Sequence, residues 1–526
     1  MAIVDERARP RRLEPLLQPR RAPRLGREIL GWRWLVPAGL PVLVLISLFI
    51  RSRQLHAGFW IDEGISVGIA HEHWTSIPHL LRQDGSPPLY YMLLGIWVRL
   101  FGDSEAATHT LSLVFGLACE PLAYFATRGV FGRTAALAAT VLAALDPFLT
   151  YYAQETRMYE LEALLSLVVA WSYVEGILRA KRAWMPVFVV ATALLAYSHN
   201  WGLFLCVGLA AATFAFARER LRLFGVAAAG VAVLYVPWVP TLLSQVRHTG
   251  APWSTRPSVH DLFLSAGTVI GGDASYVALV LVGGAALGGL LLHKRTQERR
   301  EIAALLTVVG VTVVVAFITS QISPAWTARY FAVIFGPVIL VAGKALERAR
   351  GLGIATLVAL VFVYGGYSVK NDKENAKGIT SGARAYLETG DLIVSTHPEQ
   401  VPVLRYYLGP GYRWATTLGP MPDPLIFDWR DAVPRLKAAK EQPTIDALIA
   451  TVRPGGTFVV FEPVFRDYRA WRATWTKLVW RKASDWSWLL EHDPRLQLVA
   501  HIRSDEIALK KNYFKPLQAF VYRRTR

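Results

Sequence analysis

Two acidic side chains in succession, Asp62 and Glu63, stand in the stretch GFWIDEGISVGIA at 58–70, just after the first long apolar run of the chain. A carboxylate can take the proton of an attacking hydroxyl. Neighbouring residues on a helix point about 100° apart, so only one of the two acids is expected to face the reactants. The bland alternative is a solvated helix start, because a first turn favours acidic residues. Other polar stretches also interrupt apolar runs. QDGSPPLYY at 83–91 turns at Asp84-Gly85 and carries Ser86 before Pro87-Pro88; proline is allowed in the first turn of the helix that follows. YYAQETRMYE at 151–160 holds Tyr152, Glu155, Arg157 and Tyr159, YSHNWG holds His199, and PAWTARYF holds Arg329 and Tyr330. An arginine fork suits a phosphate. The structural alternatives are an aromatic interface belt for the tyrosines, a Glu155–Arg157 pair, a satisfied histidine, and a snorkelling anchor at Arg329.

The elements that must position these residues are membrane helices. The chain has 526 residues, 53% of them hydrophobic, 18% charged, with a mean hydropathy of +0.31, where ordinary globular proteins carry roughly 25% charged residues. Segments near 34–51, 106–127, 134–150, 160–178, 184–199, 201–217, 223–240, 274–292, 302–319, 330–346 and 353–368 are expected to span, about eleven in all by helix length. The helix after Pro87-Pro88 is short for a span and is expected to lie at the interface or re-enter. The net charge of +18 sits in short basic patches between apolar runs, as in TRGVFGR (127–133), RAKR (179–182) and KALERAR (344–350). That distribution encodes topology and gives no support to nucleic-acid binding.

Alternate loops are basic. By the positive-inside rule they are cytoplasmic, as is the Arg-rich tail 1–33, read as disordered, with Trp32 and Trp34 as interface anchors. The tail lacks the short apolar core and cleavage site of a secretory signal. An odd number of spans places the C-terminus outside. The first loop, 52–105, and all the polar stretches above then share one external face. The domains expected are the tail 1–33, a membrane domain 34–368 and a soluble extracytoplasmic α/β domain 369–526. In the last, DLIVST, TFVVFEP, LQLVAHI and LQAFVYR read as strands, 435–452 as a helix and 467–493 as one or two amphipathic helices. Cys119 and Cys206 each fall within a span and read as packing residues. No CxxC, HExxH, Walker loop or GxGxxG after a strand occurs, so neither a metal site nor nucleotide chemistry is supported.

The ordered set of DE in the first external loop, SPPLYYMLL, FGDSEAATHTLSLVFG, DPFLTYYAQETRMYELEALL, YSHNWGLFL and ARYFAVIFGP resembles the GT-C integral-membrane glycosyltransferases. It is similar in particular to glycosyltransferase family 39, the dolichyl-phosphate-mannose protein mannosyltransferase and aminoarabinose transferase group. The resemblance covers 55–215 and, less fully, 320–345. It implies a polytopic α-helical membrane enzyme in the plasma or inner membrane, moving a hexose or pentose from a polyprenyl-phosphate monosaccharide, with inversion, to an acceptor hydroxyl outside. It implies a general-base role for Asp62, with Glu63 orienting it or binding acceptor, places Glu155 at the acidic position of the second external loop, and puts Arg329 near the donor phosphate. In aminoarabinose transferases a lysine directly precedes Pro-Pro; here that position is Ser86, and Arg82, Arg157, His199 or Arg329 are the cations left to replace it. A phosphate leaving group requires no metal in principle, though a divalent ion stays compatible, and no cofactor is called for. The acceptor is open between glycan, lipid and protein. The competing expectations are a flippase or transporter of a lipid-linked sugar, and a non-catalytic envelope assembly protein; transporters place polar groups near the midplane, where this chain has chiefly Glu120.

Overall fold

The computed structural model describes residues 35–293, 296–369, 375–464, 472–503 and 516–525. The tail 1–33, with Trp32 and Trp34, lies outside them. Two compact units divide the chain, Met1–Leu43 and Val44–Arg526; of the first, only the start of the helix Leu35–Arg51 is described.

Each of the eleven segments expected to span is helical. Among the described residues six helices are long and apolar enough to cross a bilayer, or seven if the bent pair Val259–Ile270 and Asp273–Gly288 counts as one span. Five more apolar helices are 10–17 residues long. The chain is thus a helical membrane protein. Its core contacts use small residues, as expected where lipid removes the hydrophobic drive between helices and close packing must do the work. Gly208 meets the main chain of Val308, and Gly343 meets that of Ala135 in the alanine-rich helix Arg133–Leu145.

We number the first helices α1 (Leu35–Arg51), α2 (Ile61–His71), α3 (Ile77–Asp84), α4 (Leu89–Phe101) and α5 (Glu105–Phe131). Arg51 ends α1 fully buried. It donates to the carbonyls of Gly116 (2.8 Å) and Ala143 (2.6 Å) and lies 3.5 Å from Glu120, so one side chain ties three helices where the first loop begins. Glu120 is therefore held by an arginine within the helical core. Of the eleven residues of α2, nine are buried. It packs on α4, whose thirteen residues reach about 20 Å at 1.5 Å each, short of a bilayer core.

The C-terminal region forms a six-stranded sheet, order β3-β2-β1-β4-β6-β5. The strands are β1 (Leu392–Ser395), β2 (Arg413–Thr416), β3 (Gly419–Pro420), β4 (Thr457–Pro463), β5 (Leu496–Ile502) and β6 (Leu517–Arg524). β1 runs parallel to β2 and β4, while β6 is antiparallel to β4 and β5. β4 is buried along nearly its whole length, as a central strand covered on both faces must be. The four strands expected from sequence form; β2 and β3 are additional. The helix expected over 435–452 is two, Ala432–Ala438 and Glu441–Ala450. Pro443 is the reason: it fits a first turn but would break a continuous helix by removing an amide donor. The aromatic segment after 467 gives one described helix, Thr474–Glu491.

The sheet domain packs directly on the first loop. The Tyr407 hydroxyl accepts from the Phe59 amide (2.7 Å) and donates to Glu105 (3.2 Å), which also pairs with Lys377 (2.9 Å). The amide of Trp429 donates to the carbonyl of Gln83 (2.9 Å), and that of Trp475 to Pro252 (3.2 Å). Glycine lets α2 come this close. A Cβ on Gly64 would lie 2.7 Å from the main chain of Val403, and one on Gly68 would lie 2.0 Å from the Leu425 carbonyl oxygen.

Candidate active site

The two acids at the start of α2 face different surroundings. Glu63 is completely buried. Its Oε1 accepts from the amide of Thr156 (2.8 Å) and lies 2.7 Å from His109 Nε2; its Oε2 accepts from the amide of Trp60 (3.3 Å). His109 Nδ1 lies 2.7 Å from the carbonyl of Leu55. A carbonyl only accepts, so Nδ1 carries a hydrogen, and the contact between Nε2 and Oε1 needs a second proton held by the pair. Glu63 thereby joins the first loop, α5 and the loop at 156.

Asp62 turns the other way, its side chain 22% exposed. Its Oδ2 lies 3.1 Å from Arg329 Nη2. The Arg329 guanidinium sits 5.3 Å from the Trp60 ring and 5.7 Å from the Tyr330 ring. Aromatic faces hold a cation in place without neutralising it. The main-chain carbonyl of Asp62 accepts from Ser66 Oγ (2.7 Å) and Arg157 Nη1 (3.4 Å).

Arg157 is buried and links the first loop to the second. Besides Asp62, its Nη1 donates to Ser66 Oγ (2.9 Å) and to the hydroxyl of Tyr91 (3.2 Å). That hydroxyl donates onward to Asp84 Oδ2 (3.3 Å). Burial pushes the Asp84 carboxyl above its usual range, against the opposing pull of Ser86 and Arg157. The Glu155–Arg157 side-chain pair considered from sequence does not form; Glu155 is buried, and its main-chain carbonyl accepts from the Arg157 amide (2.8 Å). The turn at Asp84-Gly85-Ser86 is pinned from outside the loop. Gln245 Nε2 donates to the carbonyls of Leu81 (2.7 Å) and Ser86 (3.1 Å), and Asn200 Nδ2 to that of Gly85 (3.1 Å).

An aromatic wall closes the third side. His199 follows the helix Met185–Ser198 and lies 4.4 Å from the Tyr330 ring; its Nδ1 accepts from the Trp201 amide (3.2 Å). Tyr159 lies 4.9 Å from Tyr152, and the Arg157 guanidinium 5.8 Å from Tyr159. The structure therefore brings Asp62, Asp84, Ser86, Tyr152, Arg157, Tyr159, His199, Arg329 and Tyr330 into one contiguous set of contacts, with Glu63 directly behind. Ser66, Tyr91, Gln245 and His109 join it, unmarked by any sequence motif, and so does Asn200, which stands beside His199 in YSHNWG. Ser66 stands four residues after Asp62, on the same helix face; the partners of the others lie far away in the chain, and sequence offers no signal for them.

A carboxylate, two guanidiniums and an aromatic wall lie together at the ends of apolar helices, under a docked α/β domain, and the fold that carries them is the GT-C fold, as its likeness to solved structures shows. The solved structures with that fold name its members. ArnT from Cupriavidus metallidurans in the apo state superposes with a TM-score of 0.62 at 15% identity, over 92% of this chain and 98% of that one. The same protein bound to undecaprenyl phosphate gives 0.62 at 14% identity with equal coverage. The oligosaccharyltransferase of Archaeoglobus fulgidus in the apo form gives 0.53 at 12% identity, over 82% of this chain and 70% of that one. No protein-family model matches the chain, and no curated protein matches it in sequence.

Proposed function

We propose that this chain is a membrane glycosyltransferase that moves a sugar from a polyprenyl-phosphate monosaccharide to an acceptor hydroxyl on the external face, with inversion. The observation that carries this reading is the reachable Asp62 carboxylate set among two arginines on one face of the helices. The binding of undecaprenyl phosphate by the structurally similar ArnT supports a prenyl-phosphate donor. In the reaction the acceptor oxygen attacks the anomeric carbon while the bond from that carbon to the phosphate oxygen breaks. The hydroxyl proton passes to Asp62, and the prenyl phosphate leaves with the bonding electrons. A guanidinium beside the phosphate stabilises the charge that builds on it. Tyr159, Tyr330 and His199 form the wall against which the sugar is held. Glu63 fixes the start of α2, and with it the direction of Asp62.

Asp62→Asn tests this. Asparagine keeps the shape but takes no proton, and general-base catalysis is typically worth about 10²–10⁴-fold. Transfer by the purified variant is expected to fall by that factor while prenyl-phosphate binding persists. A fully active Asp62→Asn protein would overturn the base assignment.

A further inference from the structure

Charge balance around the site singles out one group. Asp62 is engaged by Arg329, and Glu63 shares a proton with His109. Asp84 makes no ion pair with Arg157 among the described residues; the Tyr91 hydroxyl lies between them, and burial pushes the Asp84 carboxyl above its usual range. Arg157 is itself nine-tenths buried, yet among the described residues no carboxylate lies within ion-pairing distance of it. Its Nη1 is spent on two hydroxyls and a main-chain carbonyl. Its Nε is buried without a partner, and among the described residues nothing accepts a hydrogen bond from Nη2. A buried cation with no counter-ion is unfavourable unless a ligand brings the anion. The edge left open, Nε and Nη2 together, is the edge with which a guanidinium grips two phosphate oxygens.

Arg329 is differently placed. Its Nε is also buried without a partner, but its Nη2 contacts the Asp62 carboxylate at 3.1 Å. A phosphate on that nitrogen would displace the base or sit against its negative charge. We propose that Arg157 holds the phosphate of the lipid-linked donor, with Arg329 kept as counter-ion to Asp62. This rests on the glycosyltransferase reading above and gives the two arginines separate work. Ser66 and Tyr91 aim the Arg157 fork.

The test is binding of farnesyl phosphate and of inorganic phosphate to the full-length chain in detergent, followed by calorimetry. Arg157→Gln is expected to weaken farnesyl phosphate about 10–100-fold, the size of a charged hydrogen-bonded contact, and Arg157→Lys to restore part of it. Arg329→Gln is expected to stay within about threefold of wild type in binding, although transfer falls. Tyr91→Phe leaves the charge and removes the hydroxyl that aims the fork and donates to Asp84, so a several-fold weakening is expected even if Arg157→Gln fails to fold. Normal farnesyl-phosphate affinity in Arg157→Gln, or in Tyr91→Phe where that variant is the one that folds, would overturn the assignment and leave the glycosyltransferase reading standing. So would loss of affinity in Arg329→Gln alone. A wild-type chain that ignores farnesyl phosphate would sink the donor reading itself. Inorganic phosphate bound as tightly as farnesyl phosphate would make this a free-phosphate site and overturn the lipid assignment.

Discussion

Asp62 and Glu63 are adjacent and nearly the same in chemistry, but burial and partners separate them. The sequence shows the pair and the approximate angle between the two side chains. It does not show which of them faces outward, because that depends on His109 and Thr156, 46 and 93 residues from Glu63. Glu63→Ala is expected to strip two amides and an imidazole of their partner inside a dry region. Unsatisfied buried groups cost about 1–3 kcal/mol each, so thermal unfolding of the variant in detergent is expected at a clearly lower temperature. A Glu63→Ala protein as stable as wild type but inactive would mean that Glu63 takes part in the chemistry. The same limit applies to Arg157: its type and its place between two spans are legible, whereas the absence of a carboxylate in direct contact with it among the described residues appears only when every neighbour is in position.

The apolar helices were legible to within about five residues at their ends, because apolar runs of bilayer length bounded by charged loops leave little choice. What escaped was short or depended on distant contacts. β2 and β3 have four and two residues, too few to show an alternating pattern. The close approach of α2 to the sheet domain also left no trace except two glycines four residues apart, Gly64 and Gly68. Gly64→Ala places a methyl carbon 2.6 Å from the Val403 side chain and 2.7 Å from its main chain, and main chain cannot step aside cheaply. Overpacking of this kind costs typically 1–3 kcal/mol. We expect lower stability together with reduced transfer, since α2 carries Asp62. Gly102→Ala serves as a control for adding a methyl, because that glycine has open space around it but a positive φ of 84°; it is expected to lose stability through backbone strain while transfer per folded molecule holds. Equal transfer in Gly64→Ala and wild type would separate the contact from the chemistry.

The composition of the whole chain announced a membrane portion and a polar portion, and the two are packed together within one compact unit, Val44–Arg526. Stability of the polar portion depends on one carboxyl in the sheet. Glu462 on β4 accepts from Gln518 (3.0 Å) and Ser487 (3.3 Å), and burial pushes it from the usual 4.5 up to about 7. Between those values the folded chain holds a proton that the unfolded chain has lost. Stability therefore declines as pH rises from about 4.5 to about 7 and is flat beyond. At 1.36 kcal/mol per unit the loss is on the order of 3 kcal/mol. Glu462→Gln is expected to abolish that slope in denaturation followed by tryptophan fluorescence, and to leave the variant the more stable protein at pH 8. A wild-type profile flat from pH 5 to 8 would contradict the assignment.

The hydrogen bond between Phe59 and Tyr407 spans 348 residues, and that distance is also an interval of time. The first loop leaves the ribosome long before the strands and helices that clamp it exist. At about 5–20 residues per second, roughly 20–70 s separate the arrival of Asp62 from that of Tyr407. During that interval the nascent chain already contains its acid but not the surface that fixes α2. The growing chain is thus an unfinished tool, and any release of product before the last third is made would report a loop able to order itself alone.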